Sequence, residues 1–169
     1  MDLFAAQGLA QTSAEQIAEA AGVSVRTFHR YFPQKADAVL PALDSLWDEF
    51  ARLVAVAPGD APLSEVVTEA FLRVHRGPEA QRHIAFYAIM TTDPQLENMW
   101  LRLHARSERK LRPILASRSG AAPDSPDIAL LAAVILAAAR LVSELRGEKP
   151  RQEVDDLART LFSRIEEFG

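Results

Sequence analysis

The sequence predicts an all-α protein, built from a short N-terminal three-helix unit and a longer C-terminal helical domain. Apolar residues recur at helical spacing along almost every periodic segment, and no segment shows the sustained alternation of a β-strand. Glycines stand where helices should stop, and capping side chains stand where helices should begin. The length of 169 residues suits a small domain joined to a larger one, which we divide into residues 1–40 and 41–169.

The first unit is delimited by caps and glycines. A short helix over residues 2–7 should end at Gly8. Thr12 and Glu15 have the spacing of a capping box, which indicates a second helix from residue 13 to about residue 21 with Thr12 as its N-cap. Ser24 should cap a third helix over residues 25–31.

The fourth helix is predicted to begin near Lys35. Pro41 falls one to two turns inside it and removes a backbone hydrogen bond, so we expect a kink or a delayed helix start there. The apolar stripe of this helix consists of Val39, Leu43, Leu46, Trp47, Phe50 and Val54.

The remaining helices are predicted at about residues 62–76, 79–92, 94–117, 126–146 and 150–167. Asp93-Pro94 and Ser125-Pro126 each place a capping side chain before a proline at the first helical position. Gly22 and Gly77 mark further helix ends, and the stretch 117–125, rich in Gly, Ser, Pro and Asp, is expected to be a flexible loop.

Composition limits the classes of function. There are no cysteines, which excludes disulfides, thiol catalysis and cysteine-based metal sites. The start Met1-Asp2-Leu3 lacks the basic and apolar regions of a signal peptide, and the apolar run 128–139 is shorter than the roughly 20 residues that span a membrane. We therefore expect a cytoplasmic protein. The histidine spacing predicts no metal site, and no cofactor is expected.

Charge is unevenly distributed along the chain. The net charge is −4, yet residues 24–35 carry Arg26, Arg30 and Lys35 and no acid. This pattern is typical of a small basic surface on an acidic body rather than of a uniformly basic, non-specific nucleic-acid binder.

That basic segment has the form of a helix-turn-helix. Ala21-Gly22-Val23-Ser24 joins two short helices, and Ile17, Ala18, Ala21, Val23 and Phe28 have the spacing to pack them together. The second of these helices presents side chains that suit a DNA major groove, because arginine can bind guanine through two hydrogen bonds and threonine offers both a hydroxyl and a methyl. These outward residues are Arg26, Thr27, His29 and Arg30, with Tyr31 at the end.

Residues 3–40 resemble the DNA-binding domain of the tetracycline-repressor (TetR) family. The resemblance lies in Ile17-Ala18, in Ala21-Gly22-Val23-Ser24, and in Tyr31-Phe32-Pro33 followed by Lys35. It implies a homodimer with one recognition helix in each half-site of a palindromic DNA operator. By position, Arg26, Thr27 and His29 would face bases, Thr12, Tyr31 and Lys35 would lie near phosphates, and Ser24 and Arg30 complete the candidate set.

Members of that family usually have a longer first helix preceded by a basic arm, whereas this sequence begins about halfway along the helix. Two interpretations are open: a truncated start, or a member that lacks the arm. The fourth helix connects the two domains in the family, so Pro41 would affect how a signal passes between them.

The last two predicted helices are candidates for dimerisation. The helix from Pro126 is apolar on nearly all sides and must be covered on several of them. The final helix offers a partner face of Val154, Leu157, Leu161, Ile165 and Phe168. In the family these two helices form a four-helix bundle across the dimer axis; the alternative is that they only close the core of one subunit.

A small-molecule pocket is expected by analogy with the family. Apolar side chains with a few polar groups are the usual lining of such a site. We select His83, Phe86, Tyr87, Met90, Trp100 and His104 as ligand-binding candidates, with ordinary core packing as the alternative for each. The lining suggests an apolar effector, acyl-containing or aromatic.

The sequence therefore predicts a ligand-responsive transcriptional regulator, acting as a repressor that a small-molecule effector releases from its operator. An enzyme is not expected, because the sequence has no glycine-rich phosphate loop, no metal-ligand spacing and no nucleophile with a recognisable base. The alternative is a helical ligand-binding dimer that has lost DNA binding.

Overall fold

A computed structural model describes residues 1–77, 80–90, 93–146 and 148–168, without the side chains of residues 81, 82, 85, 88 and 89. Within these ranges every regular element is helical, which confirms the all-α prediction. The α-helices are α1 (Asp2–Gln11), α2 (Ala14–Ala20), α3 (Val25–Tyr31), α4 (Leu40–Val56), α5 (Leu63–Val74), α6 (Ala80–Met90), α7 (Pro94–Ser119), α8 (Pro126–Leu145) and α9 (Arg151–Ser163). Two 3-10 segments, Lys35–Val39 and Arg164–Phe168, precede α4 and follow α9.

Helix α1 is interrupted at Gly8, where the sequence predicts its end. Gly8 breaks the helical geometry with φ 76° and ψ 168°, a conformation essentially reserved for glycine, and a further turn then continues to Gln11. Phe4 and Leu9 are buried on the two sides of this break. The glycine therefore ends the first helical stretch as predicted, and one further turn follows it in a new direction.

The capping box at the start of α2 lies one residue later than predicted. Ser13 is the N-cap: its Oγ accepts from the backbone N–H of Gln16 at 3.2 Å, and the Gln16 Oε1 accepts from the Ser13 N–H at 2.9 Å. Thr12 and Glu15 have the same spacing, but Thr12 is only 1% exposed and its hydroxyl donates to the Gly8 carbonyl at 2.7 Å. Burial of Thr12 leaves the capping role to its neighbour.

Pro41 delays the start of the fourth helix, which was one of the two predicted outcomes. The chain runs as a 3-10 segment over Lys35–Val39, and α4 begins at Leu40 with Pro41 in its first turn. At that position the missing N–H of proline would have had no intrahelical acceptor, so the helix loses nothing.

The predicted caps of the later helices are present. The Asp93 side chain accepts from the N–H of Gln95 at 2.8 Å and starts α7. The Ser125 hydroxyl accepts from the N–H of Ile128 at 3.3 Å and starts α8. Helix α7 extends to Ser119 and ends at Gly120, which has a φ of 73°, so part of the predicted loop 117–125 is helical.

The core forms around α4, α7 and α8. The whole predicted stripe of α4 is buried, and α4 packs between α5 and α7. Helix α8 packs against α6, α7 and α9, and α1 reaches the core by packing against α6. By length and composition α8 would be able to cross a membrane, but half of that stretch is buried inside this chain, as expected of a core helix.

Helix α9 buries a different face from the one predicted. Val154 and Ile165 are buried as expected, but Ala158 and Phe162 are buried in place of Leu157 and Leu161, and Phe168 is 41% exposed. The small Ala158 side chain permits close packing on this face, and the change to a 3-10 helix at Arg164 alters the spacing of the last turn. Leu157 and Leu161 remain only partly covered.

A buried carboxylate on α9 contacts arginines that directly follow the ends of α5 and α8. One oxygen of Asp155 accepts from Arg76 at 2.8 Å, and the other accepts from Arg146 at 3.4 Å. Arg151 lies 3.8 Å away on the surface. The side chains of Asp155 and Arg146 are 4% and 2% exposed, so this pair is shielded from water.

A ladder of ion pairs runs along the contact between α7 and α4. Its cations are spaced one helical turn apart on α7, and its acids lie on α4 and on the 3-10 segment before it. The pairs are Arg102–Asp37 at 3.9 Å, Arg106–Asp44, and Lys110–Asp48 at 2.5 Å. We call this set the α4–α7 ladder.

Candidate nucleic-acid interface and buried aromatic cluster

The turn between α2 and α3 is built around Gly22. Its φ of 67° lies in the left-handed region, where a side chain would strain the backbone. The N–H of Gly22 donates to the carbonyl of Glu19 at 3.0 Å, and the N–H of Val23 donates to the carbonyl of Ala18 at 2.9 Å. These two bonds close the end of α2 in a Schellman motif and fix the angle at which α3 leaves.

Helix α3 is anchored at its start and on its inner face. The Ser24 Oγ accepts from the N–H of Thr27 at 3.1 Å, and its hydroxyl lies 2.9 Å from the Thr27 Oγ1. Phe28 is 3% exposed and packs against Phe32 with ring centroids 5.3 Å apart. Ala18 is buried opposite, whereas Ala21 and Val23 are exposed, so these two predicted packing residues do not join the two helices.

The outer face of α3 carries the predicted base-facing residues. Arg26, His29 and Arg30 are exposed, and Thr27 is partly exposed beside Arg26. Within the described part of the chain neither Arg26 nor Arg30 forms an ion pair. Tyr31 is 66% exposed, and the Arg30 guanidinium lies 5.0 Å from the centre of its ring. The structure thus brings these five residues together on one accessible surface, which we call the α3 face.

Two of the predicted phosphate neighbours lie differently. The Thr12 side chain is buried, as described above, and the Lys35 ammonium donates to the Thr12 backbone carbonyl at 2.8 Å. This bond ties the 3-10 segment before α4 to the junction of α1 and α2. The Lys35 side chain therefore holds the segment before α4 to the three-helix unit, the Thr12 side chain bonds within α1, and neither belongs to the α3 face.

The predicted ligand-binding residues are all buried, and several form one aromatic cluster. The Trp100 ring lies 5.3 Å from Tyr87 and 4.2 Å from His104, measured between ring centroids. Phe86 and Met90 on α6 are fully buried in the same core. His83 instead lines a cleft between α4, α5 and α6 of about 440 Å³, together with Ala42, Ser45, Leu46, Glu49, Arg73, Val74 and Gly77.

Trp47 belongs to this cluster, although its sequence pattern indicated only a core position on α4. Its ring lies 4.9 Å from His104 and 6.3 Å from Trp100. The signal that could have found it is chemical: an indole carries an N–H that normally needs a partner when it is buried.

His75, His104 and Tyr87 stay uncharged near neutral pH. Burial, helped by the charge of Arg146, lowers the pKa of His75 to about 3. Burial, helped by the charge of Arg140, lowers the pKa of His104 to about 3, and burial raises the pKa of Tyr87. His75 is fully paired: its Nδ1 donates to the Phe71 carbonyl at 2.9 Å and its Nε2 lies 3.3 Å from the Tyr87 hydroxyl.

Comparison with known proteins gives matches over both parts of the chain. Residues 1–40 match the family described as "Bacterial regulatory proteins, tetR family". Residues 61–168 match the "MftR C-terminal domain". The chain is also 33% identical over 129 residues to the HTH-type transcriptional regulator TcmR of Streptomyces glaucescens, an alignment that covers 71% of this chain.

The same alignment spans 57% of TcmR, so the chain covers a little over half of the length of this relative. The family match at the N-terminus falls on the helix-turn-helix and its exposed α3 face, and the second match falls on helices α5 to α9. This chain therefore belongs to the TetR family of bacterial transcriptional regulators.

Proposed function

We propose that the chain acts in the cytoplasm as a homodimeric repressor that binds a palindromic DNA operator and is released by a small-molecule effector. The observation that carries the proposal is the α3 face. Arg26, Thr27, His29 and Arg30 project from one side of a capped, well-anchored helix, and the two arginines have no acidic partner in the described part of the chain. Unpaired arginines are available for guanine edges and phosphates.

Within this face we assign different roles by position. Arg26, Thr27 and His29 lie towards the start and middle of α3 and would read bases. Tyr31, at the end of the helix and 66% exposed, would contact a phosphate. Ser24 would orient Thr27 through the hydroxyl contact at 2.9 Å. Lys35 would act indirectly, by fixing the segment before α4 to the helix-turn-helix unit, and Thr12 by closing the end of α1.

The homodimer is supported by an exposed apolar stripe on α8. Leu130 and Leu141 are 51% and 46% exposed, Ala137 is exposed, and Val134 is partly covered. These four residues follow the spacing of a helix seam that packs against another helix. The partly covered Leu157 and Leu161 extend the apolar surface onto α9. A second copy of the chain would cover this surface and place two α3 helices for a palindromic site.

Effector release would act through α4. This helix contributes Trp47 to the aromatic cluster and four residues to the cleft beside His83, and it connects directly to the 3-10 segment held by Lys35. An effector that binds more tightly to a conformation in which α4 is displaced shifts the dimer towards that conformation. There the spacing of the two α3 helices no longer fits the two half-sites of the operator.

The test is a selection of binding sites from random DNA, followed by fluorescence anisotropy on the selected sequence. We expect binding to a palindrome that weakens steeply with salt. Arg26→Ala should weaken specific binding roughly 5- to 150-fold, the effect of losing one good base contact. Arg164→Ala, an exposed arginine after α9, is the matched control and should bind as the parent does.

Two further results would contradict the proposal in separate ways. A dimer that binds no DNA sequence selectively would favour a helical ligand-binding dimer instead. A monomer at the concentrations used, by light scattering, would remove the palindrome argument. Leu141→Glu tests the dimer surface, since a buried charge in the seam should shift the protein towards monomer.

A further inference from the structure

The cluster of Trp47, Trp100 and His104 is unusual among the buried polar groups of this chain. The three residues are 2%, 1% and 7% exposed, and the imidazole lies between the two indoles in edge-to-face contacts. Neither indole N–H and neither imidazole nitrogen has a hydrogen-bond partner among the described residues. Buried polar groups in folded proteins nearly always have one, so four such atoms at one point call for an explanation.

The neighbouring histidine shows the ordinary arrangement. His75 has partners for both ring nitrogens, in the Phe71 carbonyl and the Tyr87 hydroxyl. The Leu136 carbonyl on α8 acts to raise the pKa of His104. Neither ring nitrogen of His104, however, forms a hydrogen bond with it that meets ordinary geometric limits. Arg112 and Arg146 each leave one buried Nε without a partner elsewhere in the described residues, but the four atoms of this cluster lie together at the contact of α4 with α7.

We propose that this cluster is the recognition point for the effector, and that the effector is an uncharged, flat ring compound carrying carbonyl or ether oxygens. The inference rests on the proposed function and names the chemistry of its ligand. Two indoles and a neutral imidazole supply three N–H donors and a single acceptor, so the complementary group is an oxygen acceptor.

The other properties follow from the same residues. The His104 ring is neutral, so the cluster offers no cation to bind a carboxylate or a phosphate. The surrounding groups are ring faces and edges, which favour stacking with another flat ring. Because Trp47 is on α4 and the other two residues are on α7, an occupant accepting from both sides would separate these helices at the point where α4 leads to the DNA-binding unit.

The chain provides its own reporter for this site. It contains two tryptophans, and both are in the cluster, so intrinsic tryptophan fluorescence reports on no other region. The probe is 9-fluorenone, a flat uncharged ring system with one carbonyl, and its matched control is fluorene, which has the same rings without the oxygen. Titration of the full chain, with calorimetry as a second readout, should give affinity for fluorenone about tenfold or more above that for fluorene.

Variants separate hydrogen bonding from packing. His104→Phe removes two unpartnered nitrogens and keeps a ring of similar size, so it should raise the melting temperature while bringing the two affinities close together. Trp47→Phe should also reduce the preference. Phe50→Leu, which changes an apolar ring 5.6 Å from Trp47, should weaken both probes alike and leave their ratio unchanged.

The outcomes are decisive for the inference. Equal affinities for the two probes, or a preference that survives in His104→Phe, would overturn it, as would a His104→Phe variant that melts well below the parent. Operator release is measured separately. If the operator is released equally well by compounds with and without an oxygen acceptor, the inference is overturned and the proposed repressor stands. Preferential fluorenone binding by a chain that binds no operator would support the inference and contradict the proposed repressor.

Discussion

Replacing Asp155 with asparagine should destabilise the fold strongly, because it leaves a buried guanidinium without its counter-charge. Arg76 and Arg151 are 37% and 64% exposed, so water can solvate their charges in the variant. The loss of each of these two ion pairs should therefore cost what a surface pair does, at most about 1 kcal/mol. Arg146 is 2% exposed, so water cannot solvate its charge in the variant. Removing one partner of such a buried pair costs about 3–5 kcal/mol.

The assay is equilibrium unfolding in urea at one fixed protein concentration, followed by circular dichroism. For a chain of this size the same loss corresponds to a fall in melting temperature of roughly 6–20 °C. Asp156→Asn is the matched control: it lies next along α9, is 60% exposed and contacts Arg159, so it should change the free energy of unfolding by less than about 0.5 kcal/mol.

A double variant, Asp155→Leu with Arg146→Met, tests the cause. If the cost comes from an uncompensated charge, removing both charges should recover most of the stability. A loss below about 1 kcal/mol in Asp155→Asn, the scale of a surface pair, would refute the argument. Burial alone would raise the pKa of Asp155, but the bond from Arg76 and the nearby positive charges lower it, so this contribution is present above the usual value of 3.8 and is lost as the pH falls below it.

Three smaller perturbations test other parts of the structure. Gly22→Ala should cost about 1–2 kcal/mol in urea unfolding through backbone strain alone, because a Cβ there meets no atom within 4 Å, and Gly59→Ala, equally open but without a positive φ, should cost little. Ser24→Ala removes the cap of α3 and should cost about 1 kcal/mol, whereas Ser24→Asp should keep most of it. The pKa of His75 and of His104 is about 3 in the fold against 6.5 when unfolded. Below pH 6.5 the free energy of unfolding should therefore decrease by about 1.4 kcal/mol per pH unit for each histidine as the pH is lowered. Between pH 6 and pH 5 the pH dependence of His104→Phe should be smaller by that amount.

The helix order and most helix ends could be predicted from the sequence, because they depend on local chemistry. Asp93 and Ser125 cap the helices they precede, and Pro41 accounts for the late start of α4. The exposed residues of α3 were equally accessible to prediction, since they follow from helical spacing and from one buried phenylalanine. Their assignment to bases and phosphates stays a prediction.

The errors arise where tertiary packing decides between local alternatives. Thr12 and Ser13 both start a capping-box pattern, and burial of Thr12 determines which one is used. Leu157 and Phe162 compete for the core, and the close approach allowed by Ala158 decides in favour of Phe162. Trp47 was assigned to the core correctly, but the fact that its N–H has no partner depends on atoms from a helix more than fifty residues away.

The α4–α7 ladder has a consequence for how these two helices can move. Its acids on α4 and its cations on α7 share a repeat of one helical turn, and Lys110, bound to Asp48 at 2.5 Å, lies 4.0 Å from Asp44. Sliding α7 by one turn, about 5.4 Å, would transfer Lys110 from one acid to the other, whereas half a turn would leave its charge between partners. If α7 slid along α4, these ion pairs would re-form only at displacements of about one helical turn, so the ladder favours discrete over continuous changes in the register of the two helices.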